Sequence, residues 1–432
     1  MAETYGHKLN PRRQIRNARG IKGIRQSVVI TNNPTTIDQG QLLTVNFPNL
    51  GSDDVIVPGS VKLAFKISLS SENDDNRSIV HNIGRAIVQK VSVKIEGNEV
   101  YSLDNADVWG LYKDSWLTRK QRLNMAYQGI EDENVSKLRI EAGNKSEGAN
   151  DGKDKAIADA FGNRYCIPLE FELLTDHLPF YQSGLKDRLS YELTFNSYSR
   201  VIKSTDTDCK YSINGISLEF EKVTNSALAQ SIRAQYKGKI VVLYDRVLCH
   251  SKKTFNKEDT TWNINLNTPA KSLKGILLLF EDPSETGGGA PFKRDTTKFF
   301  NPKINKTTVT IEGVPNQLYA QGMYRYQHWQ EIKKFFADAK SEHGLGIVKE
   351  LDLSDVSIEK YLTSNYGLWL DTRSTDDNKI HGSGRRIENG SEGITLQLER
   401  TAEAAAVINC YIFVVMDAQL NIAEGRFQSA LY

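Results

Sequence analysis

The sequence predicts an all-β chain of two tandem eight-stranded jelly rolls, with short helices in loops and a basic N-terminal arm. Three observations carry that expectation. One seven-residue stretch occurs twice. Short segments of alternating apolar and polar residues recur between turn-forming residues. The 432-residue length exceeds one ordinary core and suits two units of roughly 200 residues.

The repeated stretch is Val91-Ser92-Val93-Lys94-Ile95-Glu96-Gly97, answered by Thr307-Thr308-Val309-Thr310-Ile311-Glu312-Gly313 at an offset of 216, half the chain length. Each copy alternates as a strand with one buried face should. Each closes on Ile-Glu-Gly, where glycine readily takes the positive φ that a turn often needs. After the first copy, Asp104 can cap a helix with Val108, Leu111, Tyr112 and Trp116 on one face. After the second, Tyr326, Trp329, Ile332 and Phe336 make a similar stripe.

The remaining elements follow the same alternation. In the first half these are Leu42 to Phe47, stopped by Pro48, then Val61 to Leu69, Tyr165 to Leu169, Leu189 to Phe195 and Ile213 to Phe220. Between them, Glu141 to Ala160 turns to Gly, Lys, Asp and Asn and reads as a long exposed loop. In the second half Ile240 to Tyr244, Trp262 to Leu266 and Leu273 to Phe280 precede the repeated strand. Ser364 to Leu370, Gly393 to Leu398 and the apolar Ala405 to Met416 follow it. The Leu273 segment sits where Val61 to Leu69 sat, and the Gly393 segment matches the Leu189 strand. Pro283 to Arg294 and Asp376 to Gly393 read as loops. The expected units are an arm over 1–27, a first jelly roll over 28–223, a connector over 224–238 and a second jelly roll over 239–432. Short strands between turn signals, eight in two sheets per half, read as jelly rolls.

Composition narrows the function classes. Hydrophobic residues make up 39% of the chain, with 18 Tyr and 16 Phe, enough for packed cores. No apolar run approaches the ~20 residues of a membrane-spanning helix. The N-terminus is polar and basic without an apolar core region, so no secretory signal is expected. Cys166, Cys209, Cys249 and Cys410 are scattered without a CxxC pair, which fits buried free thiols in a reducing compartment.

No nucleotide-binding, hydrolase or metalloprotease motif is present. His381-Gly382-Ser383-Gly384 carries a GxG but lies in a polar loop. The seven histidines never fall as His-x-His, which argues against a tandem metal-binding cupin. His328, beside Trp329, is expected to pack. Glu96 and Glu312 are expected to be solvated turn carboxylates and not a catalytic pair. No enzyme activity, catalytic residue, metal site or cofactor is expected.

Charge is uneven. Net charge is +2, yet Lys8, Arg12, Arg13, Arg16, Arg19, Lys22 and Arg25 face Glu3 alone in residues 1–25, a net of +6. Such an arm can lie along DNA phosphates or an anionic membrane, with strong salt dependence, or order against neighbouring subunits.

The "Pro-Gly-Ser" strand start at Pro58, the Asn82-Ile83-Gly84-Arg85 approach and the Ile95-Glu96-Gly97 turn resemble polinton-like (Maverick/adintovirus) capsid proteins. Phe47-Pro48 through Trp116 carries most of the likeness. With tandem jelly rolls and a basic arm, the chain is similar to double jelly-roll major capsid proteins of the adenovirus and tailless-phage lineage. That resemblance implies a homotrimeric capsomer in a virion, assembled in host cytoplasm or nucleus. It implies neighbouring capsomers, penton and minor capsid proteins as partners, and packaged DNA or an internal membrane as partners of the arm. Two similar sandwiches closed by a three-fold axis present six similar units, a block that tiles a flat facet. The alternatives are a glycan-binding or glycan-processing protein on paired jelly rolls, which a surface groove rich in Trp and carboxylates would favour, and a minor capsid or spike protein.

Overall fold

The computed structural model describes residues 23–29, 36–48, 50–57, 60–70, 77–144, 153–169, 187–283, 292–316, 319, 321–336, 356–374, 382–388 and 393–432. In the first half the main strands are β1 Gly23–Val29, β2 Leu42–Asn46, β3 Lys62–Ser70 and β4 Val88–Ile95. They continue as β5 Asn98–Asp104, β6 Arg164–Pro168, β7 Leu189–Phe195 and β8 Lys210–Thr224. One layer runs β1-β8-β3-β6 and the other β2-β7-β4-β5, with short strands at Thr36–Ile37 and Asp54–Ile56 also paired to β8. The second half repeats this order. Its strands are β9 Lys239–Asn256, β10 Thr261–Leu266, β11 Ala270–Glu281 and β12 Ile304–Ile311. Then come β13 Val314–Pro315, β14 Gly367–Asp371, β15 Ile394–Arg400 and β16 Val407–Ala423. Its layers run β9-β16-β11-β14 and β10-β15-β12-β13, and a terminal β17 Arg426–Leu431 pairs with β16. Both halves thus wind in the chain order 1-8-3-6 and 2-7-4-5. That is a jelly roll, made twice.

The alternation in each strand places it. Leu63, Phe65, Ile67 and Leu69 of β3, and Leu189, Tyr191, Leu193 and Phe195 of β7, are buried between the first two layers. In the second roll β11 and β16 are buried on both faces along most of their length. Helices cover the outer face of that layer. These are α1 Ala106–Ser115 and α3 Arg325–Phe336, while α2 Ser226–Tyr236 in the connector lies against the first roll, where Arg233 donates to Ser52 O.

The repeated stretch occupies the same register in both rolls. Ile95 faces Leu189 and Val93 faces Tyr191, as Ile311 faces Ile394 and Val309 faces Leu396. The turns match as well. Glu96 N donates to Arg188 O and Glu312 N to Gly393 O, each at 2.8 Å.

Four expectations need correction. Gly23–Val29 pairs with β8, so residues 23–27 of the expected arm belong to the first sheet and Arg25 stands opposite Glu221. Charge content hid a strand whose partner lies almost 200 residues away. The supposed loop from Glu141 holds the end of helix Glu133–Asn144 and helix Lys153–Phe161. Asp104 does not cap α1. It ends β5 and pairs with Lys90, while Asn105, in the left-handed region, takes the N-cap position without a side-chain cap bond. The stripe of α3 is rotated: His328, Ile332, Phe335 and Phe336 are buried, and Tyr326 is exposed.

Candidate assembly surfaces

Lys8, Arg12, Arg13, Arg16, Arg19 and Lys22 lie outside the described residues, and Arg25 is placed in the β1 ladder. What the structure places in detail is the junction that joins the two rolls.

Helix α1 belongs to the first roll but packs on the second. Its Trp109 ring lies 5.4 Å from Phe413 of β16, and Tyr112 lies edge-on to Phe299 at 4.8 Å. The Tyr112 hydroxyl donates to Asn365 O. Trp116 stacks on Phe336 of α3 with rings 5.5 Å apart and 9° from parallel. Gly367 in β14 is needed there, because an added Cβ would overlap the Tyr112 hydroxyl. Beside this aromatic wedge, the Tyr244 hydroxyl of β9 donates to Val100 O of β5 at 2.7 Å.

A buried charge cluster lies across the same junction. Asp107 of α1 meets Arg200 of the first roll at 3.1 Å and Arg294 of the second at 3.0 Å. Arg200 also reaches Glu281, at the end of β11, at 3.3 Å. The Tyr411 hydroxyl donates to the same carboxylate oxygen at 2.8 Å. Burial alone would raise the Glu281 pKa, but Arg294 and Arg200 outweigh it and leave it lowered. Burial would likewise lower Arg200, and Asp107 with Glu281 reverses that, leaving it raised. Glu281 and Arg200 are thus each favoured in the charged form by the opposite charges around them, and the cluster draws two residues from each roll. Paired in this way, buried ions resist separation, because breaking one pair strands a charge. The sequence did not single out these four residues. The available signal was Glu281-Asp282, two carboxylates closing an otherwise apolar strand.

Burial governs the cysteine thiols and the core histidine. Burial raises Cys166 to about 12 and Cys249 to about 11, far from the thiolate a nucleophile needs. Among the described residues no group of three or more His, Cys, Asp or Glu side chains can hold a metal. His328 is fully buried. Its Nε2 lies 3.1 Å from Met323 O and 3.3 Å from Thr307 Oγ1, and its Nδ1 is 3.0 Å from the Tyr366 hydroxyl. Burial lowers its pKa to about 4, so it is a neutral packing residue. Glu96 and Glu312 both stand in turns with positive φ. The loop glycines are tethered: Gly382 N donates to Asp417 and Gly384 N to Ser272, while His381 lies outside the described residues. Trp109, Trp116, Trp262 and Trp369 are buried and Trp329 is half-buried, stacked on Trp116, so the described residues form no tryptophan-lined surface groove.

No family model and no curated protein matches the chain. Solved structures do. The structure of PBCV-1 VP54 fitted into a reconstruction of the virophage Sputnik aligns with TM-score 0.57 at 13% identity, covering 96% of this chain and 98% of that one. The Sputnik virophage structure aligns with TM-score 0.54 at 12% identity over 95% and 88%. The Faustovirus major capsid protein aligns with TM-score 0.52 at 8% identity over 94% and 91%. At such identities the likeness is one of fold, and the fold of this chain is the double jelly roll it shares with these structures.

Proposed function

We propose that this chain is a major capsid protein whose homotrimer is the building block of an icosahedral DNA virus or virus-like element. Assembly is then its activity, without catalysis. The observation that carries this reading is the junction. It locks two rolls of identical winding side by side as one body, through Trp109, Tyr112 and the Asp107–Arg200–Glu281–Arg294 cluster. Three such bodies about a three-fold axis give six similar rolls and a near-hexagonal block. The fold shared with the Faustovirus major capsid protein supports it. Neighbouring capsomers, penton and minor capsid proteins are the partners that follow, in a virion assembled in the host cytoplasm or nucleus. The quoted residues of the first half support placing the chain with polinton-like capsid proteins. The basic arm, Lys8 to Arg25, is proposed to contact packaged DNA, an internal membrane or neighbouring subunits.

Light scattering on the purified protein tests the reading. The expected mass is three times 48.6 kDa, with six-lobed particles in negative-stain images. A monomer at micromolar concentration would overturn it. The glycan-binding alternative gains no support, since no tryptophan is exposed.

A further inference from the structure

The strand registers make the two rolls comparable residue by residue. Val91 and Lys90 of β4 face Leu103 and Asp104, as Thr307 and Lys306 of β12 face Met323 and Tyr324. An aromatic helix follows directly in each roll. Asn105 therefore corresponds to Arg325, Ala106 to Tyr326, Trp109 to Trp329 and Trp116 to Phe336.

The two copies of this face differ in what covers them. In the first roll it is closed by the second: Val100 through Leu103 are buried in succession, Asn105 donates to Cys249, and Trp109 packs on Phe413. In the second roll it is open. Tyr324 is 47% exposed, Tyr326 is 64% exposed and Val314 at the turn of the same hairpin is 58% exposed, while Trp329, further along the helix, stacks on Trp116 of α1. Three large apolar side chains on one hairpin and the helix after it are a surface that normally has a partner.

We infer that this tyrosine-bearing face of the second roll is the subunit contact, seated on the outer face of the β1-β8-β3-β6 layer in the first roll of the next copy. The inference rests on the trimer reading above and names its interface. The occupant follows from the repeat. In the second roll, the outer face of the equivalent layer receives α1 and carries Leu277, Leu279 and Phe413. In the first roll, that outer face carries Lys66, Ser68 and Asn214, exposed or half-buried. The difference has a physical reason. The second roll's layer is covered within its own chain and can be apolar. The first roll's layer must stay solvated until a trimer closes, so it is polar. Phenols suit such a partner, since the ring contributes contact area while the hydroxyl bonds to polar groups.

The test is the double variant Tyr324→Glu with Tyr326→Glu, compared with Leu123→Glu, an equally exposed apolar site in the first roll. The tyrosine variant is expected to keep its circular dichroism and melting profile yet dissociate on dilution at a concentration at least 100-fold higher than wild type. The Leu123 control should not. Should the double variant fail to fold, Tyr326→Cys combined with Lys66→Cys decides. The native cysteines are all buried, so a short bismaleimide should link only these positions, giving dimers and trimers on denaturing gels. A variant that dissociates like wild type, or a folded trimer with no cross-link, overturns the interface and leaves the trimer standing. A monomeric wild type would overturn both.

Discussion

Arg200 of the first roll and Glu281 of the second lie 3.3 Å apart, and the Tyr411 hydroxyl shares the same carboxylate oxygen. With Asp107 and Arg294 they form a junction held by charge as well as by aromatic packing. Glu281→Gln keeps the shape but leaves two guanidinium groups with one carboxylate. Breaking a buried pair in this way costs about 3 kcal/mol, and the loss should appear as a lower urea midpoint. The pH dependence has a definite sign. Glu281 is lowered from its ordinary 4.5, so its contribution is complete above that value and is lost as pH falls through the lowered one. Glu281→Gln should therefore lack part of the wild-type decline below pH 4.5. An unchanged midpoint would show that the junction does not depend on this cluster.

His328 predicts a second, separate acid window. Its pKa is near 4 in the folded protein against an ordinary 6.5. The unfolded chain therefore takes up a proton between those values while the folded chain does not. Stability is fully present above 6.5 and declines as pH falls toward 4, by roughly 3 kcal/mol across the window. His328→Gln, which keeps hydrogen-bonding capacity, should flatten the melting temperature between pH 6.5 and 4. Parallel profiles for variant and wild type would rule the histidine out as their source.

The two Glu-Gly turns should respond alike. Gly97 has φ 79° and Gly313 φ 75°, each preceded by a glutamate with positive φ. This is the left-handed pair that a two-residue hairpin requires. Gly97→Ala and Gly313→Ala should each lower stability by about 1 kcal/mol. Because each turn closes the same register, the two losses should agree within about 0.5 kcal/mol. Costs of opposite sign would mean the turns are alike in sequence but not in role.

Much of this fold is written in local pattern, and the exceptions have physical causes. Strict alternation marks β3, β7 and β15, because each has one face against its own core. The unbroken apolar runs of β11 and β16 mark strands covered on both faces. The helices that overlap the stretch from Glu141 were obscured because, among their described side chains, only Val135, Ile140 and Ala158 are buried apolar residues. Much of their anchoring comes from buried Arg139, which donates to the carbonyls of Ala126, Gly162 and Arg164 and to Glu131. That bonding has no periodicity to read. Strand β1 was hidden in a basic segment because its ladder partner is β8. The junction charges were hidden for a related reason. Asp107, Arg200, Glu281 and Arg294 come from four separate places, and only the fold brings them together.

The arm gives the last prediction, and β1 sets where it must be cut. Residues 1–22 carry six of the seven cations singled out, with Arg25 already in the ladder. Removing 1–22 spares every ladder bond of β1, so the proposed trimer and its melting temperature should be almost unchanged. Removing 1–29 deletes a strand that pairs with β8 over seven residues, so that variant should melt lower. Cations concentrated in so short a segment favour an anionic partner, and counterion release would make that contact strongly salt-dependent. Shell assembly by the 1–22 deletion is expected to fail or to yield aberrant particles. If DNA is the partner, duplex binding by the intact trimer should fall steeply between 50 and 200 mM salt, by about 10³-fold or more for six phosphate contacts. Binding only to anionic vesicles would assign the arm to a membrane, and binding to neither would assign it to neighbouring subunits. Normal shells from the shortened chain would remove the arm from assembly altogether.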